Sequence, residues 1–191
     1  MLVLCPALAR FTREAAVIGR LLAGYTAIEY QLCMCAGMGG GDIERAIEAI
    51  FSRRGKTNRV NRADALGRAS YASAGLDSEF RTAIGDTLFC VRIRNQYAHC
   101  IWHGDRTGRL AFAHLEEIAA PGGPEPDPIN LTLFYVDEQL LREQEDFFIF
   151  VKNTLNYLNY KRRQLVGDIG AGAILRLPVT APRPRMHRGH R

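Results

Sequence analysis

Phe11, Ala15, Ile18, Leu22, Tyr25, Glu29, Leu32 and Ala36 recur in alternating steps of four and three. That spacing lines one face of an α-helix and predicts a helix from about Leu8 to Met38. Gly37 and Gly39-Gly40-Gly41 end it. Asp42 is placed to cap a short helix carrying Ile43, Ile47, Ile50 and Phe51. A polar connection, Ser52 to Lys56, leads to a third helix from about Arg59 to Ala74, whose apolar residues are few (Val60, Leu66, Ala69). Gly75 stops it. Asp77 can cap a fourth helix, predicted from about Ser78 to His103 and ended by Gly104.

After Gly104 the period changes. Residues 109–115 and 131–136 are short, apolar and partly alternating, which predicts two strands. The run Pro121-Gly122-Gly123-Pro124-Glu125-Pro126-Asp127-Pro128 between them forbids regular structure and reads as a loop. Asp137 caps a last helix carrying Leu140, Leu141, Phe147, Phe148, Val151, Leu155 and Leu158. The expected fold is all-α: a bundle of four to five helices with a short β-hairpin, about residues 108–136, inserted before the last helix. The helical domain spans residues 1–166. Residues 167–191 form a Gly/Ala-rich and then Pro/Arg-rich tail, expected to be partly disordered.

Polar residues interrupt two of these helices. Glu29 occupies a seam position in the first, where a carboxylate must find a cation or hydrogen-bond donors. In the fourth, the seam runs Ile84, Leu88, Val91, Asn95, Ala98, Trp102, and Asn95 sits inside it. A second apolar row, Phe89, Ile93, Tyr97 and Ile101, lies opposite. Between the rows Arg92, Gln96, His99 and His103 form a polar edge. Arg94 lies apart, because the five-residue step to His99 turns a helix by ~140°. Arg94 is a permanent cation suited to phosphate, and His99 can move protons near neutral pH. Two copies of this helix about a two-fold axis would bring Arg94 of one chain near His99 of the other. Glu29 is expected to meet Arg94, Asn95 or His99 across the bundle.

Composition narrows the setting. The 191 residues are 47% hydrophobic and 24% charged, enough for a core and too apolar for global disorder. The apolar stretch from Ala15 to Leu32 contains Arg20 and Glu29, which argues against a membrane span. The first residues lack the basic start of a secretory signal. Five cysteines, an odd number at scattered spacings, fit a reducing interior. The cytoplasm is the expected location. The formal net charge is +5, and Arg183, Arg185, Arg188 and Arg191 supply four of it. The basic character therefore belongs to the tail, which reads as a solvated end or as extra phosphate affinity.

Across about residues 8–165 the chain resembles the HEPN family (higher eukaryotes and prokaryotes nucleotide-binding). The resemblance rests on the helical bundle, on Arg94-Asn95-Gln96-Tyr97-Ala98-His99 as an Arg-x4-His motif followed by Ile101-Trp102-His103-Gly104, and on Glu29 in the first long helix. It implies a homodimeric endoribonuclease that needs no metal or cofactor and uses the ribose 2′-hydroxyl as nucleophile. Arg94 would stabilise the phosphorane charge, His99 would act as general acid or base, and Asn95 would orient His99 or hold a phosphate oxygen. Glu29 would position the pair, with Arg92, Gln96, His103 and Tyr97 as RNA contacts. An RNA substrate, a toxin–antitoxin or antiphage setting, and an antitoxin or nucleotidyltransferase partner follow from the same resemblance. The alternative is a catalytically silent helical dimer that binds RNA, nucleotide or a protein partner. Cys33 and Cys35, with Cys90, Cys100 and His103, have the wrong spacing for a zinc ribbon and read as buried free thiols.

Overall fold

The protein is described by a computed structural model covering residues 4–105, 108–115 and 132–190, with the backbone alone at His190. The Pro/Gly-rich loop expected at residues 121–128 lies outside the described residues. The helices are α1 (Pro6–Arg10), α2 (Thr12–Gly40), α3 (Ile43–Phe51), α4 (Lys56–Ser73), α5 (Asp77–Ala98) and α6 (Glu138–Leu165). The strands are β1 (Cys100–Gly104), β2 (Leu110–His114), β3 (Leu133–Tyr135) and β4 (Gly189–His190). The chain divides into two compact units: Met1–Leu22, Ile93–Glu145 and Arg183–Arg191 make one, Ala23–Arg92 and Asp146–Pro182 the other.

The second unit is helical. Asp42 caps α3 as its position predicts, accepting from the Arg45 backbone N–H at 2.9 Å. Tyr25, Ile28, Leu32 and Ala36 of α2 are buried, as are Val60, Ala63 and Tyr71 of α4 and Val151, Leu155 and Leu158 of α6. α4 also packs through a glycine. Gly67 leaves room for Phe80, whose ring would lie 3.0 Å from a Cβ added there. Phe80 then stacks on Tyr71, with ring centroids 4.1 Å apart. Arg162, in the basic end of α6, donates to the Met38 carbonyl at 2.9 Å and to Ser70 Oγ at 2.6 Å. It satisfies an orphan carbonyl at the end of α2.

The first unit holds an antiparallel sheet in the order β1-β2-β3-β4. The expected hairpin exists as β2 and β3, paired through Ala111↔Tyr135 and Phe112↔Phe134. Two strands were not expected. The fourth helix stops at Ala98 rather than His103, and Cys100–Gly104 becomes β1, paired along its length with β2. The helical period continues through Trp102, so periodicity cannot see this change. Cys-Ile-Trp-His is also a sound strand sequence once a neighbouring strand offers its backbone. The fold class is therefore mostly helical with a small sheet, a larger β element than an inserted hairpin.

The tail also departs from expectation. Residues 183–190 rejoin the first unit and end in β4, on the far side of β3. Gln144 Nε2 donates to the Arg185 carbonyl at 3.0 Å, and Gln96 Nε2 donates to the His187 carbonyl at 3.1 Å. Asp137 caps α6 as foreseen, accepting from the backbone of Gln139 and Leu140.

Candidate functional site

Arg94, Asn95, Gln96, Tyr97 and Ala98 form the last turn of α5, and His99 follows as a single turn residue before β1. The His99 carbonyl accepts from the Leu115 backbone N–H at 3.1 Å, which extends the β1–β2 pairing back to this turn and fixes its backbone. The imidazole is exposed. Asn95 is exposed as well, so it leaves the apolar seam in which its spacing had set it. Arg94 is half-buried. Its Nη1 donates to Asn95 Oδ1 at 3.3 Å, and its buried Nε has no hydrogen-bond partner among the described residues. No carboxylate pairs with Arg94 or His99 among the described residues. Chemically the turn presents a fixed cation, an amide and an imidazole within one compact unit.

Three of the other expected members of the site, Glu29, Gln96 and Tyr97, are buried in structural bonds. Glu29, in the second unit, is 1% exposed. Its two oxygens are taken by α4: Lys56 Nζ at 2.6 Å and Arg59 Nη1 at 3.1 Å. A buried carboxylate needs nearby cations, and the first residues of α4 are the nearest that the fold supplies. Gln96 and Tyr97, expected as RNA contacts, are both buried. Gln96 is bonded to the His187 backbone in both directions, and the Tyr97 hydroxyl donates to Gln144 Oε1. They hold the returning tail and offer nothing to a strand in solvent. Desolvation pushes the Tyr97 phenol well above its ordinary range. His103 is exposed on β1 and no longer continues a helix edge. Arg92 is exposed in the second unit, its guanidinium 5.4 Å from the Phe89 ring centre.

Cys33, Cys35 and Cys90 are buried and in no disulfide, whereas Cys100, expected to be buried with them, is half-buried. Burial pushes the Cys33 thiol up to about 11 and Cys35 to about 12. No group of three His, Cys, Asp or Glu side chains suited to a metal occurs among the described residues. The structure also brings together pairs that spacing does not reveal. Cys100 and His114 are register partners on β1 and β2, with Sγ and Nδ1 3.6 Å apart. His187, which no motif singles out, lies buried against Tyr97 and Phe112.

No protein-family model matches the chain. No curated protein and no solved structure matches it either. Among the described residues no helix is long and apolar enough to cross a membrane.

Proposed function

We propose that this chain is a metal-independent endoribonuclease of HEPN type, acting as a homodimer in a toxin–antitoxin or antiphage setting. One observation carries the reading. Arg94 and Asn95 in the last turn of α5 and His99 just after it belong to one compact unit, with Asn95 and His99 exposed and no acid paired with Arg94 among the described residues. The 2′-oxygen attacks phosphorus, the P–O5′ bond breaks, and the products carry a 2′,3′-cyclic phosphate and a 5′-hydroxyl. His99 takes the proton from the 2′-hydroxyl or gives one to the leaving 5′-oxygen. Arg94 meets the extra negative charge on the phosphorane, and Asn95 holds the guanidinium through its side-chain oxygen. Glu29 has no part in the reaction.

The test is cleavage of mixed RNA in EDTA with the product ends identified. Wild type yields cyclic phosphate ends, and His99→Ala loses about 10²–10⁴-fold in rate while keeping its circular dichroism and melting temperature. Equal inertness of wild type and His99→Ala on many RNAs rejects the nuclease. A second reading, a silent dimer that binds RNA, nucleotide or protein, is favoured by the diversion of Glu29, Gln96 and Tyr97 to structural bonds. It predicts that inert outcome.

A further inference from the structure

The returning tail builds a polar cleft in the first unit. Its volume is about 190 Å³, and its lining includes Arg109, Tyr135, Asp137, Arg185, His187 and Arg188. Three guanidinium groups face a single carboxylate. That carboxylate, Asp137, already accepts two backbone N–H groups at the start of α6. No ion pair occupies Arg109, Arg185 or Arg188 among the described residues. The Arg109 guanidinium lies 4.2 Å from the Tyr135 ring centre, a cation–π contact that holds it at the cleft. Planar, exposed guanidiniums at the N-terminal end of a 28-residue helix are a setting for phosphate oxygens.

A second observation points to an occupant. His187 is 6% exposed, and its ring bonds the Tyr135 backbone, yet its buried Nε2 has no partner among the described residues. The other ring nitrogen is the one engaged, so Nε2 of the neutral imidazole is an acceptor with no donor among the described residues. A buried polar atom left unpaired is costly, and a ligand hydroxyl would remove that cost.

We propose that this cleft binds a ribose phosphate, with phosphate oxygens on Arg109, Arg185 and Arg188 and a sugar hydroxyl donating to His187. A ribonucleotide strand and a free ribonucleoside monophosphate share that chemistry. The site depends on no step of the cleavage reaction and stands or falls apart from it.

The experiment uses the full chain carrying His99→Ala, so that RNA is not consumed. Fluorescence anisotropy follows a labelled 12-nucleotide RNA and the DNA of the same sequence across a salt series, with an unlabelled ribonucleoside monophosphate and inorganic phosphate as competitors. The RNA is expected to bind several-fold more tightly than the DNA. Arg185→Gln with Arg188→Gln is expected to weaken binding about tenfold or more and to flatten the salt dependence by roughly 0.7 of a log unit per arginine. His187→Phe is expected to erase the preference for RNA over DNA while sparing the salt dependence. Competition by the monophosphate places a free nucleotide in the cleft, and its failure to compete places a strand there. Unchanged binding in the arginine variant overturns the proposal, as does the absence of binding by every probe. Loss in the arginine variant with no RNA preference in the parent chain overturns the hydroxyl contact to His187. Should His187→Phe unseat the tail, seen as faster trypsin cleavage, the arginine variants alone decide.

Discussion

Glu29 shows how far a single residue can be read from the chain. Its seam position announces a buried carboxylate in need of cations, and both halves of that statement hold. Which cations it meets is a property of the fold. Glu29→Ala would strand Lys56 and Arg59, whose side chains are 25% and 22% exposed and so can partly rehydrate. The expected cost is about 2–3 kcal/mol, below that of breaking a fully buried pair, read from urea unfolding. Cleavage per folded molecule should be unchanged, and a drop in rate at full foldedness would restore Glu29 to the site. His187 gives a pH prediction. Burial lowers its imidazole from 6.5 to about 4, against the pull of Asp137 and of the bond to the Tyr135 backbone. The unfolded chain therefore takes up the proton first as pH falls. Stability from this group is complete above about pH 6.5 and is lost as pH falls towards 4. The loss is on the order of 3 kcal/mol at most. Arg185, Arg188 and Asp137 share its cleft, so the clean comparison is the drop in urea midpoint between pH 7 and 4.5, which should be smaller in His187→Phe.

At the scale of elements, the caps of α3 and α6 were legible, whereas the break at Phe11, which divides the single helix expected from Leu8 to Met38 into α1 and α2, and the end of α5 were not. Asp42 and Asp137 cap α3 and α6 because capping is settled within one turn of chain, by a side-chain oxygen and backbone N–H groups two or three residues on. The end of α5 is settled by β2, which takes the backbone of Cys100–Gly104 into a sheet. Trp102 and His103 satisfy a helical spacing and a strand equally, and only the partner decides. The terminal strand β4 depends on one residue type. A Cβ at Gly189 would lie 2.3 Å from Thr132 Cγ2 and 3.2 Å from the Phe134 ring, closer than packed atoms tolerate. Gly189→Ala is expected to unzip β4 and expose the tail. Limited trypsinolysis followed by mass spectrometry should then show cleavage after Arg185 and Arg188 several-fold faster than in wild type. Equal rates would mean that Gln96 and Gln144 hold the segment without the strand.

The dimer belongs to the scale of the whole molecule, and mixing two dead variants tests it. If Arg94 of one chain serves His99 of the other, a heterodimer of Arg94→Ala with His99→Ala keeps one intact site of two. Random pairing then restores about a quarter of wild-type activity. If both groups act within one chain, no mixture restores anything, and light scattering reports separately whether a dimer exists. Composition had placed the positive charge in the last residues, which was correct. It had no means of showing that this segment folds back as a strand, because the partners of Arg185 and His187 are 41 and 91 residues away. The chain by itself determined most of the helices, the caps at Asp42 and Asp137, and the presence of Arg94, Asn95 and His99 on one short stretch, since each follows from contacts within a turn or two of backbone. Only the tertiary structure decided where α5 ends, which cations hold Glu29, and that Gln96 and Tyr97 grip the tail instead of a ligand. Those outcomes depend on strand pairing and buried polar bonds between distant segments, which local spacing does not encode.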